Sequence, residues 1–308
     1  MSPDKQSQGK ALPAVGVVIV NHNLKDSLRE TIESFRKVNY PNLQIVVSDN
    51  ASTDGAQEMV RTLFPEVHLL AHQEEQGYAR AASLGMAHLA GTTKYIFSTT
   101  NDVIVDPKIL NVLVSYAEQH PDAGVLGTRI YFFDRPDVLW HAGGRIHPLH
   151  GHSYHLGWEQ KDAPRYSRVR ECDFVTGCGF LLRSEVLRKI GYFKEDLIFY
   201  SEDAELCYRF REAGYKVMYI PEAKMWHKTG TTLAKNRAVQ LRYSTRNSLY
   251  LLQRHKVGFY PVSLWVHLLG VSPVKMLLFA LMLRWKNSVG ILKGIQDWKA
   301  GRYGWIKA

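Results

Sequence analysis

Glu202 and Asp203 stand side by side in Phe199-Tyr-Ser-Glu-Asp-Ala-Glu-Leu-Cys-Tyr-Arg209, at a point where a helix is expected to begin. The exposed N–H groups and macrodipole of a helix start favour negative charge. A carboxylate there stays ionised and can accept a proton from a hydroxyl. His227 lies one strand and one turn further on, able to fold back towards the same place. A base beside a potential metal ligand suggests group transfer.

Two further acids sit where strands are expected to end. Asp49 lies in Val47-Ser-Asp-Asn-Ala-Ser-Thr-Asp-Gly55, and its carboxylate can accept the imino N–H of a uracil or thymine ring. The same segment also reads as a turn and helix cap, because Asn50, Ser52 and Asp54 are capping residues. Asp102, in Thr100-Asn-Asp102, can bind a divalent cation that neutralises a diphosphate, since hard cations prefer oxygen ligands. It too has a simpler reading, as a cap for the helix that carries Pro107 in its first turn. His141, His147, His150, His152 and His155 crowd one stretch, but their spacings match neither a helical His pair nor a Cys/His finger. They read as a mobile loop that shapes an acceptor pocket.

These residues are spaced by alternating strands and helices. Strands are expected at 15–20, 44–48, 67–71 and 94–98, and helices at 24–38, 53–64, 77–90 and 107–120. That rhythm predicts a mostly parallel sheet covered on both faces, with ligands bound at the carboxyl ends of the strands. Asn21–Asn23, Asp49-Asn50 and Asn101-Asp102 all fall there. Periodicity fades over 134–171. It returns with a strand at 174–182, a helix at 184–190, the acidic helix at 202–213 and a strand at 216–220. A long helix is expected at 236–255.

The net charge of +10 is concentrated at one end. From Leu233 to Ala308 there are thirteen Lys or Arg and one acid, Asp297, giving +12 and leaving −2 for the preceding 232 residues. Such a tail faces something anionic, and nucleic acid is not the expected partner. Residues 259–283 are the most apolar part, flanked by Arg254, Lys256, Arg284 and Lys286, and broken by His267, Pro273 and Lys275. A helix lying in a membrane interface, a span or re-entrant hairpin, and a buried or dimer-forming helix pair all fit this composition. Residues 1–13 are polar and irregular; disorder is expected there, and no signal peptide. Three cysteines without a CxxC spacing read as buried thiols in a cytosolic compartment.

Taken together, the motifs resemble the family-2 glycosyltransferases of GT-A fold, especially the rhamnosyltransferase-like branch that builds surface polysaccharides. The carriers are Val17-Val-Ile-Val-Asn-His-Asn23, the Val46–Gly55 segment, Gln76-Gly-Tyr-Ala79 with Gly85, and Thr100-Asn-Asp102. Val175-Thr-Gly-Cys-Gly-Phe-Leu-Leu182, the Glu202-Asp203 block, Pro221-Glu-Ala with Trp226-His227, and Tyr243-Ser-Thr-Arg-Asn247 complete the set. The likeness covers about residues 14–256.

The resemblance implies a GT-A catalytic domain over 14–232, with a nucleotide-binding half at 14–120 and an acceptor half at 121–232, followed by a basic helical extension at 233–308. It implies that Asp49 holds the pyrimidine, with Asn21, Asn23 and Asn101 about the nucleoside and Arg246 on the diphosphate. Asp102 and His227 would hold Mg²⁺ or Mn²⁺, Asp203 would be the base, and Glu202 would position acceptor or base. Thr100 replaces the first acid of the family's DxD, and Ser83 stands where Asn is common. The expected reaction is inverting transfer from a UDP- or dTDP-sugar, rhamnose by analogy, to a glycan or lipid-linked glycan. The expected location is the inner face of the cell membrane, with a homodimer through the C-terminal helices as a further expectation. The weakened metal triplet motivates an alternative, a catalytically silent nucleotide- or glycan-binding homologue. A dinucleotide oxidoreductase is disfavoured because no GxGxxG follows the first strand.

Overall fold

The structure, a computed structural model, describes residues 11–229 and 236–305. Most of the N-terminal stretch expected to be disordered, and the expected boundary at 232/233, lie outside the described residues. The first half runs β1 (Val15–Asn21), α1 (Lys25–Arg36), β2 (Leu43–Asp49), α2 (Ala56–Leu63), β3 (His68–Ala71), α3 (Tyr78–Leu89) and β4 (Tyr95–Thr100). Then come β5 (Val103–Val105), α4 (Ile109–Gln119), β6 (Ala123–Phe132), β7 (Val138–His141), β8 (Gly144–Ile146), β9 (Ser153–His155), β10 (Gln160–Lys161) and β11 (Arg170–Glu171). The second half continues with β12 (Gly179–Arg183), α5 (Ser184–Ile190), α6 (Glu202–Glu212) and β13 (Lys216–His227). Beyond the gap lie α7 (Arg237–His255), α8 (Val262–Val266), α9 (Ser272–Leu281) and α10 (Trp285–Lys299); a π-helical turn at His267–Val271 joins α8 to α9.

Strands β3, β2, β1 and β4 pair in parallel, and β12 joins antiparallel between β4 and β6. The mostly parallel sheet with helices on both faces matches the expected GT-A architecture. Strand β1 shows why. Val15, Val17 and Ile19 enter one apolar layer with Phe35 of α1 and Leu113 of α4, while Val18 and Val20 enter the other with Met86 of α3. A strand buried on both faces reads as a continuous apolar run, which Val-Gly-Val-Val-Ile-Val is. Gly85 lets α3 approach closely: a Cβ there would sit 2.5 Å from Val18 Cγ1.

Three features depart from the expectation. The irregular 134–171 stretch holds the short strands β7 to β11, several of them only two or three residues long, too short for a periodic signal. The strand expected at 216–220 continues to His227, with a register shift between Ile220 and Lys224 opposite β6. Pro221, which lacks an N–H, falls in that bulge, where it costs no ladder hydrogen bond. The strand expected at 174–182 starts only at Gly179, leaving 175–178 as a loop.

Candidate active site

The carboxyl ends of β1, β2 and β4 bring the predicted nucleotide residues together. Asn21 Nδ2 donates to Asp49 Oδ2 at 2.6 Å, and Asn101 Nδ2 donates to Asn21 Oδ1 at 2.5 Å. Asp49 Oδ1 accepts from the Ser52 N–H at 2.9 Å and from Gln57 Nε2 at 2.8 Å. Asp49 and Asn21 are fully buried. The Asp49 carboxylate therefore braces its own loop, and a pyrimidine N–H reaches it only if the half-buried Gln57 swings away. Exposed Asn23, at φ +50°, accepts from the Thr53 N–H at 2.8 Å and tethers the first loop to the second. Asn50 Oδ1 accepts from the Gln76 N–H at 2.6 Å, joining the Gln76-Gly77 loop to the same assembly.

The residues expected to hold the metal also converge. The last residues of β13 pair antiparallel with β5, setting His227 opposite Val103 and beside Asp102. His227 Nε2 lies 3.2 Å from Asp102 Oδ1, and both side chains are nearly buried. Thr100 Oγ1 donates to the same Asp102 oxygen at 2.7 Å. Thr100 thus orients the remaining acid where the family pattern has a second one. The donor set fits a divalent cation of the Mg²⁺ or Mn²⁺ type, a carboxylate oxygen and an imidazole nitrogen leaving further positions for phosphate oxygens and water. Among the described residues no group of three or more His, Cys, Asp or Glu side chains is arranged for a metal. His227 Nδ1 is buried without a hydrogen-bond partner, with the Trp140 ring edge-on at 4.7 Å. Ligating histidines usually donate from that second nitrogen, and this one lacks the support. We expect His227→Ala to weaken Mn²⁺ binding about 10–100-fold, as loss of one ligand from a sparse site should. Isothermal titration with UDP present checks this, and unchanged Mn²⁺ affinity would remove His227 from the site.

The acidic pair opens α6 as expected, but burial opposes the ionisation expected of a carboxylate at a helix start. Asp203 Oδ1 accepts from the Ala204 N–H at 2.8 Å and Oδ2 from the Gly177 N–H at 3.2 Å. Burial raises the Asp203 pKa, and those N–H donors oppose the rise. Glu202 is pushed well above the usual carboxylate range, first by burial and then by the Asp203 charge. Its Oε2 is buried with no partner. The N–H donors thus favour a negative charge on Asp203. The 176–178 loop joins the two halves of the site: burial, with the Asp102 and Asp203 charges, pushes the Cys178 thiol up to about 12. Tyr78 Oη donates to the Gly177 carbonyl at 3.0 Å, linking this loop to the Gln76-Gly-Tyr motif.

The expectation for Arg246 needs correction. Its guanidinium, 1% exposed, faces away from open space and is spent on backbone carbonyls. Nη2 donates to Leu197 O at 3.2 Å and Asp196 O at 3.3 Å, and Nη1 to Gly304 O at 3.1 Å. Asn247 Nδ2 completes the grip on Leu197, Phe199 and Tyr200 carbonyls at 2.7–2.9 Å. The gripped loop is strained: Ile198, Tyr200 and Ser201 all have φ near +65°. Such conformations persist when the surroundings over-determine them. Arg246 and Asn247 hold the lead-in to the acidic helix rather than a diphosphate. Ser83 is likewise inside the fold, its hydroxyl bonded to Ala79 O at 2.8 Å.

The profile of glycosyl transferase family 2 matches residues 16–191, more than half of the chain. The chain belongs to this family. It is a glycosyltransferase, and the proteins it is similar to include a rhamnosyltransferase. The N-acetylglucosaminyl-diphospho-decaprenol L-rhamnosyltransferase of Mycobacterium tuberculosis is 26% identical over 261 residues, covering 78% of this chain and 84% of that protein. Among solved structures, the Pyrobaculum calidifontis mannosyltransferase PcManGT, in complex with GDP-Man and Mn²⁺, has a TM-score of 0.61 at 16% identity, covering 93% of this chain and 87% of its own. GalNAc-T7 with UDP, GalNAc and Mn²⁺ has a TM-score of 0.63 at 15% identity, covering 82% of this chain and 51% of that one. These two likenesses fix the GT-A fold.

Sequence reasoning passed over Gln57, Ser52, Tyr78, Trp140 and Asn247 as site residues. Tyr78 and Asn247 lay inside quoted motifs and could have been weighed. Gln57 and Trp140 reach the site only through tertiary packing, which no local spacing announces.

Proposed function

We propose that this glycosyltransferase inverts configuration, taking a sugar from a UDP- or dTDP-sugar to a hydroxyl of a glycan or lipid-linked glycan in surface polysaccharide synthesis. The observation that carries the reading is the meeting of Asp102 with His227, 125 positions apart in the chain, across one loop from Asp203. Asn21, Asn23, Asp49 and Asn101 form the nucleoside wall. Asp203 takes the proton from the acceptor hydroxyl as its oxygen attacks the anomeric carbon. The bond to the diphosphate breaks on the opposite face, so configuration inverts. Glu202 positions the acceptor or the base. Asp102 and His227 would hold Mg²⁺ or Mn²⁺, which when bound supplies charge neutralisation at the leaving diphosphate. The Mycobacterium tuberculosis relative's name supports rhamnose as the sugar and a lipid diphosphate as the acceptor's carrier. Nucleotide release from a panel of UDP- and dTDP-sugars, with Mn²⁺ and with or without acceptor extracts, tests the reading. Nucleotide binding without turnover across the panel would support the silent homologue instead.

We place the enzyme in the cytoplasm, on the inner face of the membrane. One helix among the described residues, Val262–Leu281, is long and apolar enough to cross a bilayer, which alone is weak ground for a span. Its inner face is tied to the catalytic domain. Ser263 Oγ bonds Pro148 O at 2.5 Å, His267 Nδ1 lies 2.9 Å from His150 O, and Lys275 Nζ lies 3.5 Å from His152 Nε2. A spanning helix would have to abandon these contacts. The outer face exposes Trp265, Leu269, Leu277 and Leu281, continued by Leu283 and Trp285, a patch suited to the acyl boundary and bordered by Arg284 and Lys286. Each buried apolar side chain contributes about 1.5–3 kcal/mol. The double variant Trp265→Ser, Leu269→Ser should therefore lower sedimentation with phosphatidylglycerol vesicles at least about tenfold. Unchanged sedimentation, with a dimer in analytical ultracentrifugation that the variant dissociates, would assign the face to a second copy.

A further inference from the structure

Lys275 points the wrong way for an apolar helix. Leu264, His267 and Ser272 form the buried inner face of α8 and α9, and Lys275, half-buried, continues that row one turn further. A lysine on such a helix normally runs its ammonium out to solvent or pairs with a carboxylate. This one has no carboxylate partner among the described residues. Its hydrogen-bonding neighbour is His152 Nε2 at 3.5 Å, on the loop between β8 and β9. His150 and His267 lie in the same cluster, joined by the contact of the His267 ring with the His150 carbonyl. Arg237, the first residue of α7, stands on the open side with its guanidinium bonded to Gln240 Oε1 at 3.0 Å. Among the described residues no Asp or Glu pairs with Lys275 or Arg237, and positions 230–235 contain no acid.

We propose that Lys275, Arg237 and His152 bind the phosphate groups of a lipid-linked acceptor, beside the inner face of the apolar helix. The inference rests on the acceptor reading above and adds to it where the acceptor's charged end lies. An uncompensated, half-buried cation is costly, and a bound anion removes that cost. Burial first, then the Arg237 charge, hold the Lys275 pKa below its ordinary value, and burial keeps His152 at about 4, so the imidazole is neutral and adds no charge of its own. The Arg237 charge also acts on Tyr200, two residues before Glu202. With the apolar outer face of α8 and α9 set against lipid, as proposed above, their inner face turns towards this cluster. A polyprenyl chain can therefore stay in the membrane while its phosphates reach Lys275 and its terminal sugar approaches Asp203.

Farnesyl diphosphate and farnesol, in matched detergent micelles with EDTA and saturating UDP, test this on the full chain. Lys275→Met should weaken farnesyl diphosphate about tenfold, the worth of one charge-assisted contact, and leave farnesol unchanged. Lys275→Arg should keep the affinity. Lys275→Met should melt no lower than the wild type, because it removes a cation without a carboxylate partner and only a long contact to His152. Equal affinity in Lys275→Met and wild type would overturn the proposal. So would an equal loss for both ligands, or a loss confined to phosphatidylglycerol vesicles, which would assign the site to a lipid headgroup. Nucleotide-sugar turnover, measured separately on the wild type, reports on the enzymatic reading independently of these outcomes.

Discussion

Asp203→Asn should lower kcat by about 10²–10⁴, the range spanned by a positioned general base, with donor KM unchanged. The substitution keeps the shape of the side chain, and its carbonyl oxygen can still accept one of the N–H bonds from Ala204 or Gly177. What is lost is the lone pair that takes the acceptor proton. Donor KM is spared because the carboxylate touches no residue of the Asn21–Asp49–Asn101 network. The pH profile adds a second check. Burial raises both Asp203 and Glu202, so the ascending limb of kcat lies above the ordinary carboxylate range and belongs to the pair rather than to one residue. The sign for stability follows. The folded state holds protons that the unfolded chain has already released, so the stability present at low pH declines as pH rises through the folded values. Asp203→Asn and Glu202→Gln remove that decline, and their Tm advantage over the wild type should grow with pH. Transfer by Asp203→Asn at the wild-type rate, with a verified acceptor, would move the base elsewhere.

The nucleotide half was legible in the sequence because its chemistry rides on local elements. Val17–Asn23 and Val46–Gly55 are each a strand and the loop that ends it, so Asn21 and Asp49 fall at known ends of the sheet. The meeting of His227 with Asp102 was legible only as a resemblance. In physical terms it depends on the Pro221 bulge, which carries β13 past Ile220 and onto β5. Val103–Val105 is three residues long and gave no strand signal, yet it sets that register. Arg246 shows the limit most plainly. The Arg-Asn pair was visible, but the carbonyls it serves come from residues about 50 positions earlier and later, which spacing could not reveal.

Arg246→Met should cost about 3–5 kcal/mol of stability, since it strips several buried carbonyls of a charged donor at once. The loss should be concentrated in one place. Arg246 spans two segments, the 196–197 carbonyls and those of Arg302 and Gly304, and the Gly304 N–H itself bonds Asp196 O at 2.7 Å. Without the guanidinium, the positive φ values of Ile198, Tyr200 and Ser201 lose one of the two side chains that enforce them. Hydrogen exchange should therefore rise at 196–201 and 302–305 before it rises in the sheet. Lys cannot rescue, because one ammonium on a flexible stem does not reproduce a planar fork bonded at both ends. The effect on catalysis should appear in kcat, through a misplaced Asp203, with donor KM held. A diphosphate contact predicts the reverse pattern, a raised donor KM that Arg246→Lys partly restores through its charge. The two patterns separate cleanly in one kinetic experiment. The buried geometry favours the first: an arginine with its forks closed on main-chain oxygens has nothing left to offer a phosphate unless the loop bearing the base first comes apart.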